Sequence, residues 1–176
     1  MLFANENLDP VMLAAGFLKY VEEYKQYAGK VFKSAVLPIN PRGSDSWKCP
    51  LVGWVKINTN VHFPGGCTIG LGVVIRDEND SLLVVAAKRS HANSPKCAKA
   101  LAMRYALLLA QRLGFPRVWL ESDAINVIHA VRMNDGGRAP INIIFDDIIK
   151  DSLSFVACNF THIKRKCNIV AHLAAR

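Results

Sequence analysis

The stretch WVKINTNVHFPGGCTIGLGVVIRDENDSLLVVAAK, residues 54–88, decides the fold. Trp54–Asn60 alternates as a strand does, with Val55 and Ile57 on one face and Lys56, Asn58 and Asn60 on the other. Gly65-Gly66 marks a turn. Ile69–Arg76 and Leu82–Lys88 are two further β-rich runs, separated by Asp77-Glu-Asn-Asp80, whose residues suit a hairpin. Three consecutive antiparallel strands are predicted.

Beyond Lys88 the hydrophobic period lengthens. Ser94-Pro95 opens a helix whose apolar face carries Ala98, Leu101, Ala102, Tyr105, Leu108 and Leu109, and Gly114 stops it. Val118–Leu120 reads as a short buried strand. Ser122-Asp123 caps a helix bearing Ile125, Ile128 and Val131, and a Gly-Gly loop follows. Ile141, Ile144, Phe145, Ile148 and Ile149 mark the next helix, Phe155–His162 a last strand, and Val170, Ala171 and Leu173 a closing helix. The order β-β-β-α-β-α-α-β-α implies an α/β fold: a mixed five-stranded sheet with helices on both faces.

Upstream, Asp9-Pro10 starts a helix with Leu13, Phe17, Tyr20, Tyr24 and Tyr27 in one stripe. That stripe serves either to pack on the domain that follows or to bind a protein partner. Leu37–Ser46 is rich in breakers and reads as linker. The expected organisation is a helical extension over 1–33, a linker over 34–52 and one domain over 53–176.

The chain has 176 residues, 51% hydrophobic and 20% charged, enough for one core without a staple. Its net charge of +8 suits a phosphate-binding surface and equally an ordinary solvated one. The five cysteines are scattered with no zinc-type spacing, as expected of reduced thiols. No basic leader precedes the first apolar run, and no run is long enough to span a bilayer. An intracellular protein, cytoplasmic or nuclear and without a membrane partner, is expected.

Five local motifs then fall in a meaningful order. Trp47-Lys-Cys-Pro50 with Trp54-Val-Lys-Ile-Asn-Thr-Asn60 resembles the W-x-P-P … K-x-N-x-D-G-A opening of plant ribonuclease H-like, reverse-transcriptase-like domains. Gly70-Leu-Gly-Val-Val-Ile-Arg-Asp77 is similar to that family's second strand. Cys97-Ala-Lys-Ala-Leu-Ala102 resembles its A-E-A-x-A helix, and Leu120-Glu-Ser-Asp123 its E-S-D strand end. His162 with Asn168-Ile-Val-Ala-His172 resembles its closing segment.

The resemblance implies a ribonuclease H-type fold of retroelement ancestry. Such enzymes cut the RNA strand of an RNA–DNA hybrid using two divalent ions about 4 Å apart. Carboxylates from the first strand, first long helix, fourth strand and last helix hold the ions, Mg²⁺ or Mn²⁺, because hard cations take oxygen ligands. Carried over position by position, these catalytic places hold Asn60, Lys99, Asp123 and His172, with His162 as the family's mobile histidine. Only Asp123 is an acid, so it alone is a metal ligand, weak or none; it also suits a helix N-cap. His172 matches the plant branch. Lys99 reverses a charge, and facing Asp123 it would stand roughly in the metal's place.

Lys164, Arg165 and Lys166, extended by Lys88, Arg89 and Lys96, are the expected nucleic-acid contacts. Trp54 and Trp119 read as core rather than base-stacking platforms. The expected function is therefore binding of RNA–DNA hybrid or structured RNA by a degraded, pseudoenzyme ribonuclease H-like domain, with no cofactor. The alternatives are an active Mg²⁺- or Mn²⁺-dependent hybrid ribonuclease and a protein-interaction module using the Leu13–Tyr27 helix.

Overall fold

A computed structural model describes residues 47–133 and 139–176. The Leu13–Tyr27 stripe, the breaker-rich stretch up to Ser46 and the Gly-Gly loop lie outside the described residues. The elements run β1 (Val55–His62), β2 (Thr68–Arg76), β3 (Leu82–His91), α1 (Pro95–Arg112), β4 (Arg117–Ser122), α2 (Ile125–Met133), α3 (Pro140–Ser152), β5 (Ala157–His162) and α4 (Ile169–Ala174), with a 3-10 turn at Arg165–Cys167. They form one five-stranded sheet in the order β3-β2-β1-β4-β5. β1, β2 and β3 pair antiparallel, and β4 and β5 join parallel.

Local chemistry explains most boundaries. Between β2 and β3, Asp77 Oδ1 accepts from the N–H groups of Asn79 and Ser81, at 2.9 and 2.8 Å, and Asp80 takes a left-handed φ of 61°. Aspartate tolerates that conformation in a tight turn. Ser94 caps α1 by accepting from Cys97 N–H at 3.2 Å with Pro95 in the first turn, and Gly114 follows the helix at φ 74°.

The sheet separates two sets of side chains. Val55, Ile57, Val73, Ile75, Val118 and Leu120 pack beneath α1, α2 and α3 in the main core, where Met103, Leu107, Ile128, Phe145 and Ile148 meet them. Ile69 and Leu71 continue the layer against Ala98 and Ala102 of α1. The helix expected to carry Ile125, Ile128 and Val131 is α2, and Ile125 is its first residue. It is 50% exposed, while Val127, Ile128 and Val131 are buried. The helix's first residue sits at the rim, where no neighbour covers it.

The other face has α4 against β1 and β2. The approach is close because Gly70 and Gly72 offer no side chain: a Cβ on Gly70 would collide with the Ala175 carbonyl, and one on Gly72 with the Ala171 carbonyl. Asn168 fixes the start of α4, its Nδ2 donating to the Thr59 carbonyl at 2.8 Å. Helices thus cover both faces, with α4 held above the end of β1.

Candidate functional site

Lys56, Asn58 and Asn60 all project to the α4 side of β1, and all are at least 97% buried. The β1–β4 register sets Lys56 opposite Trp119 and Asn58 opposite Glu121. Lys56 Nζ lies 3.0 Å from Glu121 Oε1 and 4.8 Å from the centre of the Trp119 ring. Asn58 donates to Glu121 Oε2 at 3.0 Å and accepts from Trp47 Nε1 at 3.0 Å. Arg76 sits over the Trp47 ring at 4.8 Å. Trp54 meets Trp119 edge-on with centroids 6.5 Å apart, and Trp119 Nε1 donates to Thr161 at 2.7 Å. Both indoles are occupied by intramolecular contacts, but both are only half-buried and lie outside the hydrophobic core, which corrects their reading as core residues: Trp119 pairs with Lys56 on the sheet face away from Val55 and Ile57.

Further along β1 the register brings together the positions singled out in the sequence. Asn60 ends the buried part of β1, Lys99 stands in the second turn of α1, and Asp123 follows β4 directly. Lys99 Nζ donates to both Asp123 Oδ1 and Asn60 Oδ1. Asn60 Oδ1 also accepts from Val61 N–H at 2.8 Å. Ser122, rather than Asp123, makes the local capping contact, its Oγ accepting from Ala124 N–H at 3.3 Å. Burial lowers the Lys99 pKa; the hydrogen bond and charge of Asp123 oppose that effect, and the Arg165 charge adds to it.

His172 lies on α4 with its Nδ1 buried and unpartnered. Its pKa is lowered, first by desolvation and then by the charges of Arg176, Arg165, Lys99 and His62. Asn60 Nδ2 is likewise buried without an acceptor. His162 ends β5 opposite Ser122, one residue from Asp123, with an exposed side chain.

The basic residues divide into groups. Lys164, Arg165 and Lys166 are exposed in the turn between β5 and α4. Lys88 and Arg89 of β3 line a groove of about 610 Å³ with His62, Gly70, Ala175 and Arg176. Lys96 is set apart from that groove, with its ammonium 5.5 Å from the Phe145 ring of α3.

Two closely spaced dications need several anionic oxygens. Asp123 is the only carboxylate among the four positions, and it is held by an ammonium; Asn60 Oδ1 is already engaged twice. The nearby Glu121 is committed to Lys56 and Asn58. No group of three or more His, Cys, Asp or Glu side chains able to hold a metal occurs among the described residues. The donor set does not fit the two-ion centre. No helix among the described residues is long and apolar enough to cross a membrane.

Sequence reasoning missed the Lys56–Glu121–Trp119 network and the tether made by Asn168. The alternation of β1 placed Lys56 and Asn58 on one face, but only the pairing with β4 shows what they meet.

The reverse transcriptase-like family matches residues 58–176. No curated protein matches the chain. Among solved structures, the ribonuclease H1 of the halophilic archaeon Halobacterium salinarum is similar at TM-score 0.65 and 18% identity, over 69% of this chain and 94% of that one. A ribonuclease H1 isolated from compost by a metagenomic approach is similar at 0.63 and 22%, over 70% and 94%. The same enzyme in complex with an RNA/DNA hybrid is similar at 0.62 and 21%, over 69% and 93%. At these identities the structures establish the fold. With the family match over residues 58–176, the chain belongs to the reverse transcriptase-like family and carries a ribonuclease H-like domain.

Proposed function

We propose that this chain binds nucleic acid, RNA–DNA hybrid or structured RNA, without hydrolysing it by the two-ion route. The contact of Lys99 with Asp123 carries this reading. An ammonium bound to the one surviving carboxylate cancels the attraction that the carboxylate would offer a dication, worth several kcal/mol at about 4 Å and an effective dielectric near 20. Asn60 brings no charge that offsets this. Asn60, Lys99, Asp123, His172 and His162 are therefore assigned to a modified site rather than a hydrolytic one.

Binding draws on the basic residues around that edge. Lys164, Arg165 and Lys166 on one side and Lys88 and Arg89 in the groove supply contacts to backbone phosphates, which are indifferent to sequence and sensitive to salt. A neighbour of the same fold binds an RNA/DNA hybrid, which supports the choice of ligand. Lys96 and Lys88 contribute less than Arg89, because their ammoniums lie 5.5 Å from the Phe145 and Tyr105 rings.

A labelled RNA–DNA hybrid incubated with purified protein tests this, with Mg²⁺ or Mn²⁺ in one arm and EDTA in the other. The expected result is a mobility shift in both arms that weakens steeply with salt, and no cleavage. Cleavage abolished by both EDTA and Asp123→Asn would make the domain an active ribonuclease. Absence of any shift would move the weight to a protein-interaction role.

A further inference from the structure

The edge where ribonucleases H hold metal ions has here the attributes of an anion site. Lys99 has three N–H donors, and two are taken by Asp123 and Asn60. Arg165 begins the 3-10 turn that leads into α4; its carbonyl accepts from Asn168 N–H at 3.0 Å, and the Asn168 side chain is tied to the Thr59 carbonyl beside Asn60. The Asp123 charge opposes an anion and is offset by that of Lys99, so Lys99 offers an anion its third N–H while Arg165 supplies the uncompensated positive charge.

A second, independent observation points to a ligand. Asn60 is 2% exposed, yet its Nδ2 has no acceptor. The amide cannot be reversed to cure this, because its oxygen already accepts from Lys99 and from Val61 N–H. His172 Nδ1 is a second buried nitrogen without a partner. An unpaired buried donor is destabilising, so the Asn60 amide favours an occupant that supplies an oxygen acceptor, which the His172 ring also meets in its Nδ1–H tautomer.

We propose that this edge is a metal-independent phosphate site, in which Lys99, Arg165, His172 and the idle amide of Asn60 take the oxygens of a nucleic-acid phosphodiester. This rests on the nucleic-acid reading above and specifies where one phosphate docks. The ion that bridges protein and phosphate in a two-metal enzyme is replaced by side-chain cations. No bond is made or broken. The phosphate is held by charge-assisted hydrogen bonds, the stronger class.

The test uses the full chain, isotopically labelled and in EDTA, with inorganic phosphate as the probe followed by NMR. Saturable shifts of the Asn60 side-chain amide and the His172 ring are expected, and Arg165→Gln should weaken the affinity about tenfold, as loss of one charge-assisted bond implies. Lys99→Met is the second variant; if it fails to fold, Arg165→Gln and His172→Gln carry the test. In a parallel arm, RNA–DNA hybrid should produce the same shifts without metal. Phosphate that leaves Asn60 and His172 unmoved while hybrid still binds elsewhere overturns the site and leaves the general function standing. Phosphate that moves both while hybrid does not bind overturns the nucleic-acid reading and leaves a free-phosphate site. Shifts that Arg165→Gln and His172→Gln leave undiminished also overturn the assignment.

Discussion

Lys99 of α1 and Asp123 at the end of β4 are joined by a hydrogen-bonded ion pair whose ammonium also reaches Asn60 of β1. The contact ties three elements of the domain together at one point. Their side chains are 18% and 10% exposed, so neither charge is well hydrated. Removing one partner of such a pair leaves the other buried, which costs about 3–5 kcal/mol in fully buried cases. Lys99→Met should lower the unfolding free energy by about 3 kcal/mol, near the low end because some water remains. Denaturant unfolding measures this, and a change below about 0.5 kcal/mol, the scale of an ordinary surface substitution, would refute the pair's structural role.

Restoring acids should restore affinity for metal. With Asn60→Asp and Lys99→Glu, two introduced carboxylates would converge with Asp123, three in all. The unmodified protein is expected to show the same melting temperature in Mg²⁺ and in EDTA. The double variant should gain about 1.4 kcal/mol when Mg²⁺ is present at tenfold its dissociation constant. Equal melting in both conditions for the double variant would show that ligand chemistry alone does not explain the misfit.

The glycines of β2 make a separate prediction. A methyl group at Gly70 or Gly72 has nowhere to go, because the added carbon would meet carbonyl oxygens of α4 and, at Gly72, the Ala174 carbonyl carbon at 2.9 Å. Overpacking of this kind costs about 1–3 kcal/mol, and the backbone on the far side cannot rotate away as a side chain does. Gly72→Ala should therefore destabilise the domain and shift the NMR signals of Ala171 and His172 before those of α1. Unaltered α4 signals would contradict the close packing.

How much of this was legible beforehand depended on the range of the interaction. The Ser94 cap, the Gly114 stop and the Asp77–Asp80 turn follow local rules, and each is found where the residues place it. The exposure of Ile125 was not readable, because periodicity reports which residues are apolar, not where a helix begins to meet its neighbours. Lys56 and Glu121 are 65 positions apart and face each other only through the β1–β4 register, which a single sequence does not display. The meeting of Lys99 and Asp123 was readable only through the family resemblance; spacing alone leaves Lys99 as one charged residue on a helix.

Lys56 and Glu121 can be tested as a buried pair under Trp119. Glu121→Gln should cost about 3 kcal/mol, because it leaves the Lys56 ammonium without its counter-charge in a site only 4% exposed. Combining Lys56→Met with Glu121→Leu should recover much of that loss, since apolar replacements of buried ion pairs are often neutral or better. Trp119 fluorescence should change in Glu121→Gln, as the ring sits against the displaced ammonium. A double variant as unstable as the single one would mean that Asn58 and Trp47 depend on the pair for their own hydrogen bonds.

Burial and the surrounding cations lower the His172 pKa below its ordinary 6.5, so the folded protein resists protonating it. Once unfolded, His172 titrates normally. Between the folded value and about 6.5 the unfolded chain binds the extra proton, so stability rises with pH through that window. Read downward, stability is complete above the unfolded pKa and declines as pH falls toward the folded one. His172→Gln should flatten this part of the stability profile relative to the unmodified protein, while His129→Gln, on the exposed side of α2, should leave it unchanged. Bound phosphate should raise the folded-state His172 pKa toward its ordinary value by adding negative charge beside the ring, and so make the decline shallower. If His172→Gln keeps the original slope, the proton is taken up elsewhere, and the cations around α4 do not act on this residue as described.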